Sequence, residues 1–280
     1  MRAEPNSVVV ERSLLPQLLS IICLKKTSMQ HHTHFIVIAQ LLLLLPIASV
    51  SVLGSTDPMV LSHNALRTEV HSMITALDTL IGRVDETQDS VPKWTIDTLK
   101  EWWEKHVGHA SDHCSSEQTV YKPLVNEKWP DIIDQTQDAM DSTQKKVTKS
   151  IAKLSAEKSS LVAVNNALIT YEDMMLKNFG AEERTVLPLL HSNVSPEEMS
   201  QIQRKMLEEG HDNAMGALIY ALSSDGTKFR DEFMKARNIP SFVWFVAFKG
   251  QLSHYKEDMV AKVEAITSGK QPRVKEAGWF

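Results

Sequence analysis

The sequence predicts an all-α protein, in which an up-down four-helix bundle is followed by additional C-terminal helices. Apolar residues recur at helical spacing through most of the chain after residue 58. Glycine is scarce, at 10 of 280 residues, and the apolar–polar alternation typical of strands is rare. The apolar stripes are separated by short polar segments that contain proline, which indicates long helices joined by short turns.

The composition argues against several classes of protein. The formal net charge is −5 and no basic stripe is present, so nucleic-acid binding is not expected. Two cysteines, Cys23 and Cys114, are too few for a disulfide framework or a cysteine-rich zinc site. The sequence has no glycine-rich phosphate loop, nucleophile elbow or recognisable Ser-His-Asp arrangement. We therefore expect no catalytic residues and a protein that is not an enzyme.

Residues 1–55 are predicted to be a separate N-terminal extension. Its segment 35–54 is almost uninterrupted apolar sequence, long enough to span a bilayer. Counted from Met29, this region has the pattern of a secretory signal peptide; if translation starts at Met1, it would instead remain as one membrane anchor. Both alternatives place the rest of the chain in the secretory lumen or outside the cell. Asn193, in Asn-Val-Ser, would then be a glycan acceptor.

The first helix is predicted over 58–84 and carries a histidine on its apolar face. His63 shares a stripe with Val60, Leu66, Val70, Ile74, Leu77, Ile81 and Val84. His71 lies about a quarter of a turn away from this stripe, where we expect it to reach water. His63 is therefore the better metal-ligand candidate, and the alternative is a core histidine bonded to a carbonyl group.

The second helix, predicted over 94–124, has an inward face with three polar interruptions. Its stripe consists of Leu99, Trp102, His106, Ala110, His113, Glu117, Val120 and Leu124. A polar group that is buried without a partner costs about 1–3 kcal/mol, so each of the three needs one. His113 and Glu117 are four residues apart and point the same way. They could bind one metal ion or form a buried His–Glu hydrogen bond.

Two later stripes also carry inward polar residues. A long polar-rich helix from residue 131 leads into the stripe Ile151, Leu154, Lys158, Leu161, Asn165 and Leu168. Lys158 thus takes an inward position, although a long lysine can extend its ammonium group to water. The next helix, predicted over 167–191 and closed by Pro188 and the His-Ser-Asn sequence after it, has Asn178 and Glu182 on its apolar face.

A C-terminal extension of shorter helices is predicted over 195–268, after the bundle at 58–192. Ser195, Pro196 and Glu198 have the pattern of a capping box at the start of a helix. The later helices are predicted over 211–223, 227–237 and 241–267, with Gly269 at the end of the last one. Residues 270–280 are predicted to form a loose tail.

Polar groups that point inward from every helix predict a common polar centre. The candidates are His63, then His113 with Glu117, then Lys158, and then Asn178 with Glu182. A four-helix bundle brings such groups to one level, where carboxylate-bridged metal sites are built. One polar interruption is weak support for a metal site, whereas one on each helix indicates a shared site.

These segments resemble the hemerythrin-like family, also called the HHE cation-binding domain, over roughly residues 58–200. The segment MMLKNFGAEERTVLPLLHSNVSPEEM at 174–199 looks like that family's fourth helix. HCSSEQTVYKP at 113–123 looks like the second helix, and His63-Asn-Ala-Leu-Arg resembles the first. KLSAEK at 153–158 resembles the third, where the family has an acidic residue followed by histidine.

The resemblance implies a non-haem di-iron centre inside the bundle. The residues that match the family's metal ligands are His63, His113, Glu117 and Glu182. Lys158 and Asn178 stand where the family has histidines, and Cys114 stands where many members have a further one. The ligand set for two irons is therefore incomplete in this chain.

Two hypotheses remain open from the sequence. In the first, the four matching residues bind iron or another first-row metal, and the protein handles metal or O2 without turnover. In the second, the protein binds no metal and is a structural or interaction module, in which the Lys158 ammonium group neutralises Glu117 and Glu182. In both, contact with a membrane is expected only through the N-terminal apolar segment.

Overall fold

Helices make up almost all of the chain that the structure describes. The computed structural model describes residues 57–87, 90–199, 201–202, 212–224, 227–236 and 248–271. Within these ranges there is no β-strand, which confirms the all-α prediction. No helix in these ranges is long and apolar enough to cross a bilayer. The apolar segment 35–54 lies outside the described residues, so the signal peptide and the anchor stay predictions.

Four long helices form the first part of the described chain. They are α1 (Pro58–Thr87), α2 (Lys93–Ser116), α3 (Asp131–Ala152) and α4 (Lys158–Asn193). Beyond Ser116, α2 continues through a π-helical turn at Glu117–Tyr121 and a last α-helical turn at Lys122–Val125. The helices predicted at 58–84 and 94–124 are thereby confirmed to within a few residues.

Hydrogen bonds between the long helices define their directions. His63 near the start of α1 bonds to Glu183 near the end of α4. Asp78, later in α1, accepts a hydrogen bond from Asn165, which comes earlier in α4, so these two helices are antiparallel. Two further pairs, Lys122 with Asp134 and Trp103 with Thr148, show the same for α2 and α3. Helix α1 packs against α2 and α4, and α3 packs against the same two helices.

The boundary between α3 and α4 differs from the prediction. Instead of one stripe from Ile151 to Leu168, α3 ends at Ala152 and α4 begins at Lys158. Ser160 closes the intervening turn, because its Oγ accepts a hydrogen bond from Ser155 N at 3.1 Å and donates one to Glu157 O at 2.7 Å. The apolar residues on either side of the turn keep a common helical spacing, and the sequence pattern therefore predicted one continuous helix.

The predicted end of the last bundle helix at 191 is confirmed to within two residues, since α4 ends at Asn193 and Pro188 lies inside it. Proline removes one backbone donor and disfavours a helix interior. Here, however, Val186 and Leu190 are both buried on one face of α4. Their burial in a separate apolar cluster with Met59 and Tyr121 favours continuing the helix past the proline.

The C-terminal part of the described chain contains three helices, of which the first and the third pack onto α1 and the second packs onto the first. They are α5 (Asp212–Ser224), α6 (Thr227–Ala236) and α7, which runs through Lys249–Tyr255, a π-helical turn at Lys256–Val260, and Ala261–Ser268. Helices α5 and α7 approach closely at Gly216, where a Cβ atom would lie 2.6 Å from the Cβ of Tyr255. Gly269 ends α7 with φ of 69°, the left-handed conformation that favours glycine, as predicted.

Two further predictions concern this C-terminal region. The capping box is confirmed, since Glu198 accepts a hydrogen bond from Ser195 N at 3.0 Å and Glu198 N donates to Ser195 Oγ at 3.3 Å. Tyr255 and Ile266 of α7 belong to the same core as residues of α1, α2, α3 and α4. The division between a bundle at 58–192 and an extension at 195–268 stays a prediction, and residues 1–55 and most of the 270–280 tail lie outside the described residues.

Candidate metal centre

Four side chains that the sequence predicts as ligands meet inside the protein. His63 comes from α1, His113 from α2, Glu117 from the π-helical turn after it, and Glu182 from α4. One nitrogen or oxygen atom from each side chain lies within 4.8 Å of all the others. His63, Glu117 and Glu182 are at most 3% exposed, while His113 is 9% exposed. We call these four residues the candidate metal centre.

The polar atoms of this centre converge without fully satisfying one another. His63 Nε2 lies 3.3 Å from Glu117 Oε1 and 3.1 Å from Glu182 Oε2, and His113 Nε2 lies 3.2 Å from Glu117 Oε1. Two of these atoms, His113 Nε2 and Glu182 Oε2, are buried without a partner in hydrogen-bond geometry. Because such groups are costly to bury, unpaired atoms that face one point fit the binding of a cation there.

A second set of contacts orients His63. Its Nδ1 lies 2.9 Å from Glu183 Oε1, and Arg67 Nη1 donates to the same oxygen at 2.8 Å. The Phe179 ring stacks on the imidazole at 4.1 Å between ring centroids. A carboxylate on the outer nitrogen of a histidine typically fixes its tautomer and makes the inner nitrogen a better metal ligand. His63 Nε2 is thereby aimed at the centre.

The pKa values in the centre are shifted because two carboxylates are buried close together. Burial and the nearby Glu117 charge raise the pKa of Glu182 to about 7. Burial would also raise the pKa of Glu117, but the imidazoles of His113 and His63 hold it well below its usual range. Burial would lower the pKa of His63, yet the surrounding carboxylates of Glu117, Glu182 and Glu183 outweigh this and hold it above its usual range. A bound cation would take over the role of the His63 proton.

The helix geometry changes at the ligand Glu117. The π-helical turn begins there, and the N–H of Lys122 bonds to the carbonyl oxygen of Glu117, five residues back. Such wider turns inside α-helices are frequent at functional sites. His113, one turn earlier and on the α-helical side, is the most exposed of the four residues, at 9%.

Amide groups and a thiol lie beside Glu182, on α2, α3 and α4. Asn178 Nδ2 donates to Glu182 Oε1 at 2.7 Å and to Gln137 Oε1 at 3.2 Å. Gln137 Nε2 lies 3.4 Å from Cys114 Sγ and donates to Asp141 at 2.8 Å. Asn178 and Cys114 are two of the positions where the family resemblance implies histidine. Asn178 was predicted to face inward, whereas Gln137 was not identified from the sequence.

Lys158 lies far from this centre, which contradicts the role predicted for it. Its ammonium group pairs with Asp85, and it is the first residue of α4. Glu182 is roughly 24 residues further along the same helix, about 36 Å at 1.5 Å per residue. The assignment of 153–158 to a third helix of the family is also wrong, since most of that segment forms the turn between α3 and α4.

A second buried polar cluster lies beside the candidate metal centre on the same helices. Glu69 Oε2 pairs with His106 Nδ1 at 2.7 Å, and its Oε1 pairs with His109 Nδ1 at 2.9 Å. Tyr255 of α7 donates its hydroxyl to Glu69 Oε1 at 2.9 Å, and His106 Nε2 lies 3.3 Å from the hydroxyl of Tyr171. We call these five residues the Glu69 cluster. His106, which the sequence places on the inward stripe of α2, belongs here and not to the metal centre.

The pKa of the glutamate in the Glu69 cluster is lowered, whereas the pKa of Glu182 in the candidate metal centre is raised. Burial would raise the pKa of Glu69, but His109 and His106 outweigh it and lower the pKa to about 2. In the part of the chain that the structure describes, only the four residues of the candidate metal centre have ligand atoms grouped closely enough for one metal ion. The Glu69 cluster is therefore a paired network and not a second metal site.

Sequence reasoning missed Glu69, His109 and Glu183. Glu69 lies between Leu66 and Met73 on a second apolar stripe of α1, beside the stripe that contains His63. His109 falls three residues after His106 and four before His113, on the same side of α2. A signal was therefore present for both, whereas the contact of Glu183 with His63 depends on how α1 and α4 pack.

Comparisons with known proteins add no further identification. A scan against protein-family models, a search of curated proteins and a search of solved structures found no match to this chain. The resemblance to the hemerythrin-like family accordingly rests on the residues quoted above and stays a prediction.

Proposed function

We propose that this chain is a metal-binding protein of the hemerythrin-like type, in which an up-down four-helix bundle binds a first-row transition metal. The ligands are His63, His113, Glu117 and Glu182. The observation that carries the proposal is the convergence of their ligand atoms within 4.8 Å in the interior, with two of these atoms unpaired. Two imidazoles and two carboxylates suit iron, manganese, cobalt or zinc. Iron is the metal that the resemblance implies.

The proposed role is the handling of iron or O2, without catalytic turnover. The enclosed position supports it, because three of the four ligands are almost fully buried and only His113 approaches the surface. The N-terminal apolar sequence supports a location in the secretory pathway or at a membrane.

Reconstitution with Fe(II) tests this proposal. Chelator-treated protein is dialysed anaerobically against Fe(II), and bound iron is measured by elemental analysis for the wild type, His113→Ala and His71→Ala. His71 is the matched control: like His113 it is a histidine that pairs with a glutamate, here Glu172 of α4, but it lies outside the centre.

The wild type and His71→Ala should bind iron, while His113→Ala should lose most of it, since each ligand contributes directly to the affinity. Circular dichroism checks that the variants remain helical. Equal iron binding by His113→Ala and the wild type would contradict the proposal, and so would a wild-type protein that binds no iron.

A further inference from the structure

We propose that the candidate metal centre binds one metal ion and not a pair, because Asn178 occupies one oxygen of Glu182 and the side chains beyond it supply no further carboxylate or imidazole. This inference rests on the proposed function and specifies how its site is built. It concerns the side of the centre where α3 and α4 face each other, to which the four candidate ligands contribute only Glu182.

The first step is the geometry of Glu182. Its Oε1 accepts a hydrogen bond from Asn178 Nδ2 at 2.7 Å, while its Oε2 is unpaired and lies 3.1 Å from His63 Nε2. A carboxylate that bridges two ions gives one oxygen to each. Here one of the two oxygens already has a short hydrogen bond to a buried amide. Oε2 is therefore the oxygen of Glu182 that has no hydrogen-bond partner, whereas Oε1 could coordinate an ion only beside the Asn178 amide.

The second step is that Asn178 is held in this orientation. Its side chain is fully buried, and its Oδ1 lies 2.6 Å from Thr136 Oγ1, which acts as donor. Its Nδ2 donates to both Glu182 and Gln137. In the ionised form that binds a metal, Glu182 only accepts hydrogen bonds, so the nitrogen end of the amide faces it. Rotation of Asn178 would break several bonds at once.

The third step is the chemistry of the remaining side chains. Asn178, Gln137 and Cys114 occupy the space beyond Glu182, and they supply neutral amides and a thiol bonded to one of those amides. Amide nitrogens do not ligate metals, and the amide oxygens of Asn178 and Gln137 already accept hydrogen bonds. A second ion would find neither a free carboxylate nor an imidazole among these neighbours.

Ligand counting leads to the same result. Four protein ligands are enough for one ion, whose remaining positions water or a small ligand would complete. Shared between two ions, they would provide about two protein ligands each. Two carboxylates would also have to balance the charge of two divalent ions in a buried place. A single ion suits both the number and the charge of the ligands.

The test measures stoichiometry and magnetic coupling in the full chain. Fe(II) binding is measured by anaerobic equilibrium dialysis, and Mn(II)-loaded protein is examined by electron paramagnetic resonance. We expect one ion per chain, and a Mn(II) signal from isolated ions whose intensity accounts for all bound manganese. Two ions per chain, or a coupled Mn(II) signal, would overturn this inference and leave the proposed function intact. Binding of no metal would overturn both.

A variant tests the role of Asn178 directly. Asn178→Asp replaces the donor to Glu182 with a carboxylate and should raise the stoichiometry from one ion towards two. Asn165→Asp is the matched control, since Asn165 is a buried asparagine of the same helix that bonds to Asp78, away from the centre; it should still bind one ion. If a folded Asn178→Asp variant binds only one ion, Asn178 is not what excludes the second. The wild-type measurement decides the stoichiometry even if this variant does not fold.

Discussion

The two buried polar clusters use similar residues but differ in how completely they are paired. Both combine histidines of α2 with glutamates, and they lie about 10 Å apart along α1 and α2. In the Glu69 cluster, the carboxylate accepts three hydrogen bonds and its pKa falls to about 2. In the candidate metal centre, two atoms are unpaired and the pKa of Glu182 rises to about 7.

This difference separates a structural network from a binding site. A buried charge is tolerated when hydrogen bonds and opposite charges surround it, as they do at Glu69. At Glu182 the neighbours leave a carboxylate oxygen without a donor and place a second carboxylate close by. The first cluster is paired within itself, while the second would be stabilised by the metal ion that we propose it binds. The same residue types can therefore have different roles, and pairing distinguishes them.

The largest expected effect compares matched substitutions in the two clusters. Without metal, Glu69→Gln should lower the free energy of unfolding by about 3–5 kcal/mol, because it removes the charge that His106 and His109 surround. Glu182→Gln should instead raise it, by up to about 3 kcal/mol, because the charged form of Glu182 is disfavoured in the folded protein and glutamine does not ionise. Urea unfolding at pH 7 with a chelator measures both. Equal effects of the two substitutions would show that the clusters are not different in kind.

The pH dependence of the metal-free protein should have opposite signs at the two glutamates. The pKa of Glu182 in the folded protein, about 7, is above its usual 4.5, so its contribution to stability is present below pH 4.5 and lost as pH rises through 7. The pKa of Glu69, about 2, is below 4.5, so its contribution is present above pH 4.5 and lost as pH falls towards 2.

Unfolding free energies of the wild type, Glu69→Gln and Glu182→Gln between pH 3 and 8 measure these contributions. Each unit of pKa shift corresponds to about 1.4 kcal/mol, which sets the scale of the expected differences. The gap between the wild type and Glu69→Gln should narrow in acid. If the wild type and Glu182→Gln have parallel profiles between pH 5 and 8, the assignment of a raised pKa to Glu182 is wrong.

A smaller effect is expected from side chains that contact the candidate ligands but do not face the metal position, such as Glu183 at His63. Glu183→Gln should weaken Fe(II) binding by about 10- to 100-fold, because the charge that supports His63 Nδ1 is lost. Glu172→Gln is the control: Glu172 of the same helix bonds in the same way to His71 Nδ1, at 3.1 Å, outside the centre. Competition with a chelator of known affinity measures both. A loss of affinity in Glu172→Gln equal to that in Glu183→Gln would attribute the effect to the helix and not to the metal centre.

The sequence predicted the centre better than the helix boundaries. His63, His113, Glu117 and Glu182 could be identified because each interrupts an apolar stripe, and helical periodicity fixes which side of a helix they share. The error at Lys158 arose because two helices separated by a short turn kept the same phase. Periodicity alone does not show such a turn, and only the bonds of Ser160 reveal it.

Helical periodicity does not predict contacts between residues that are far apart in the sequence. Tyr255 and Glu69 are far apart in the sequence, and their hydrogen bond depends on α7 packing against α1. Whether an atom of the candidate metal centre is paired also depends on how the helices pack. The sequence could identify candidate ligands, but their pairing, which distinguishes the two clusters, needed the positions of α1, α2, α4 and α7.

The smallest expected effect concerns Lys158, and it decides between the two hypotheses that the sequence left open. If its ammonium group replaced a metal, Lys158→Met would remove the positive charge that neutralises two buried carboxylates, and would strongly destabilise the protein. In the structure Lys158 and Asp85 are partly exposed, and ion pairs of that kind contribute about 0–1 kcal/mol. We therefore expect Lys158→Met to shift the urea midpoint slightly and to leave Fe(II) binding unchanged. A loss of several kcal/mol, with Lys153→Met as an unaffected control, would contradict the separation of Lys158 from Glu117 and Glu182, and with it the metal as the missing partner of those carboxylates.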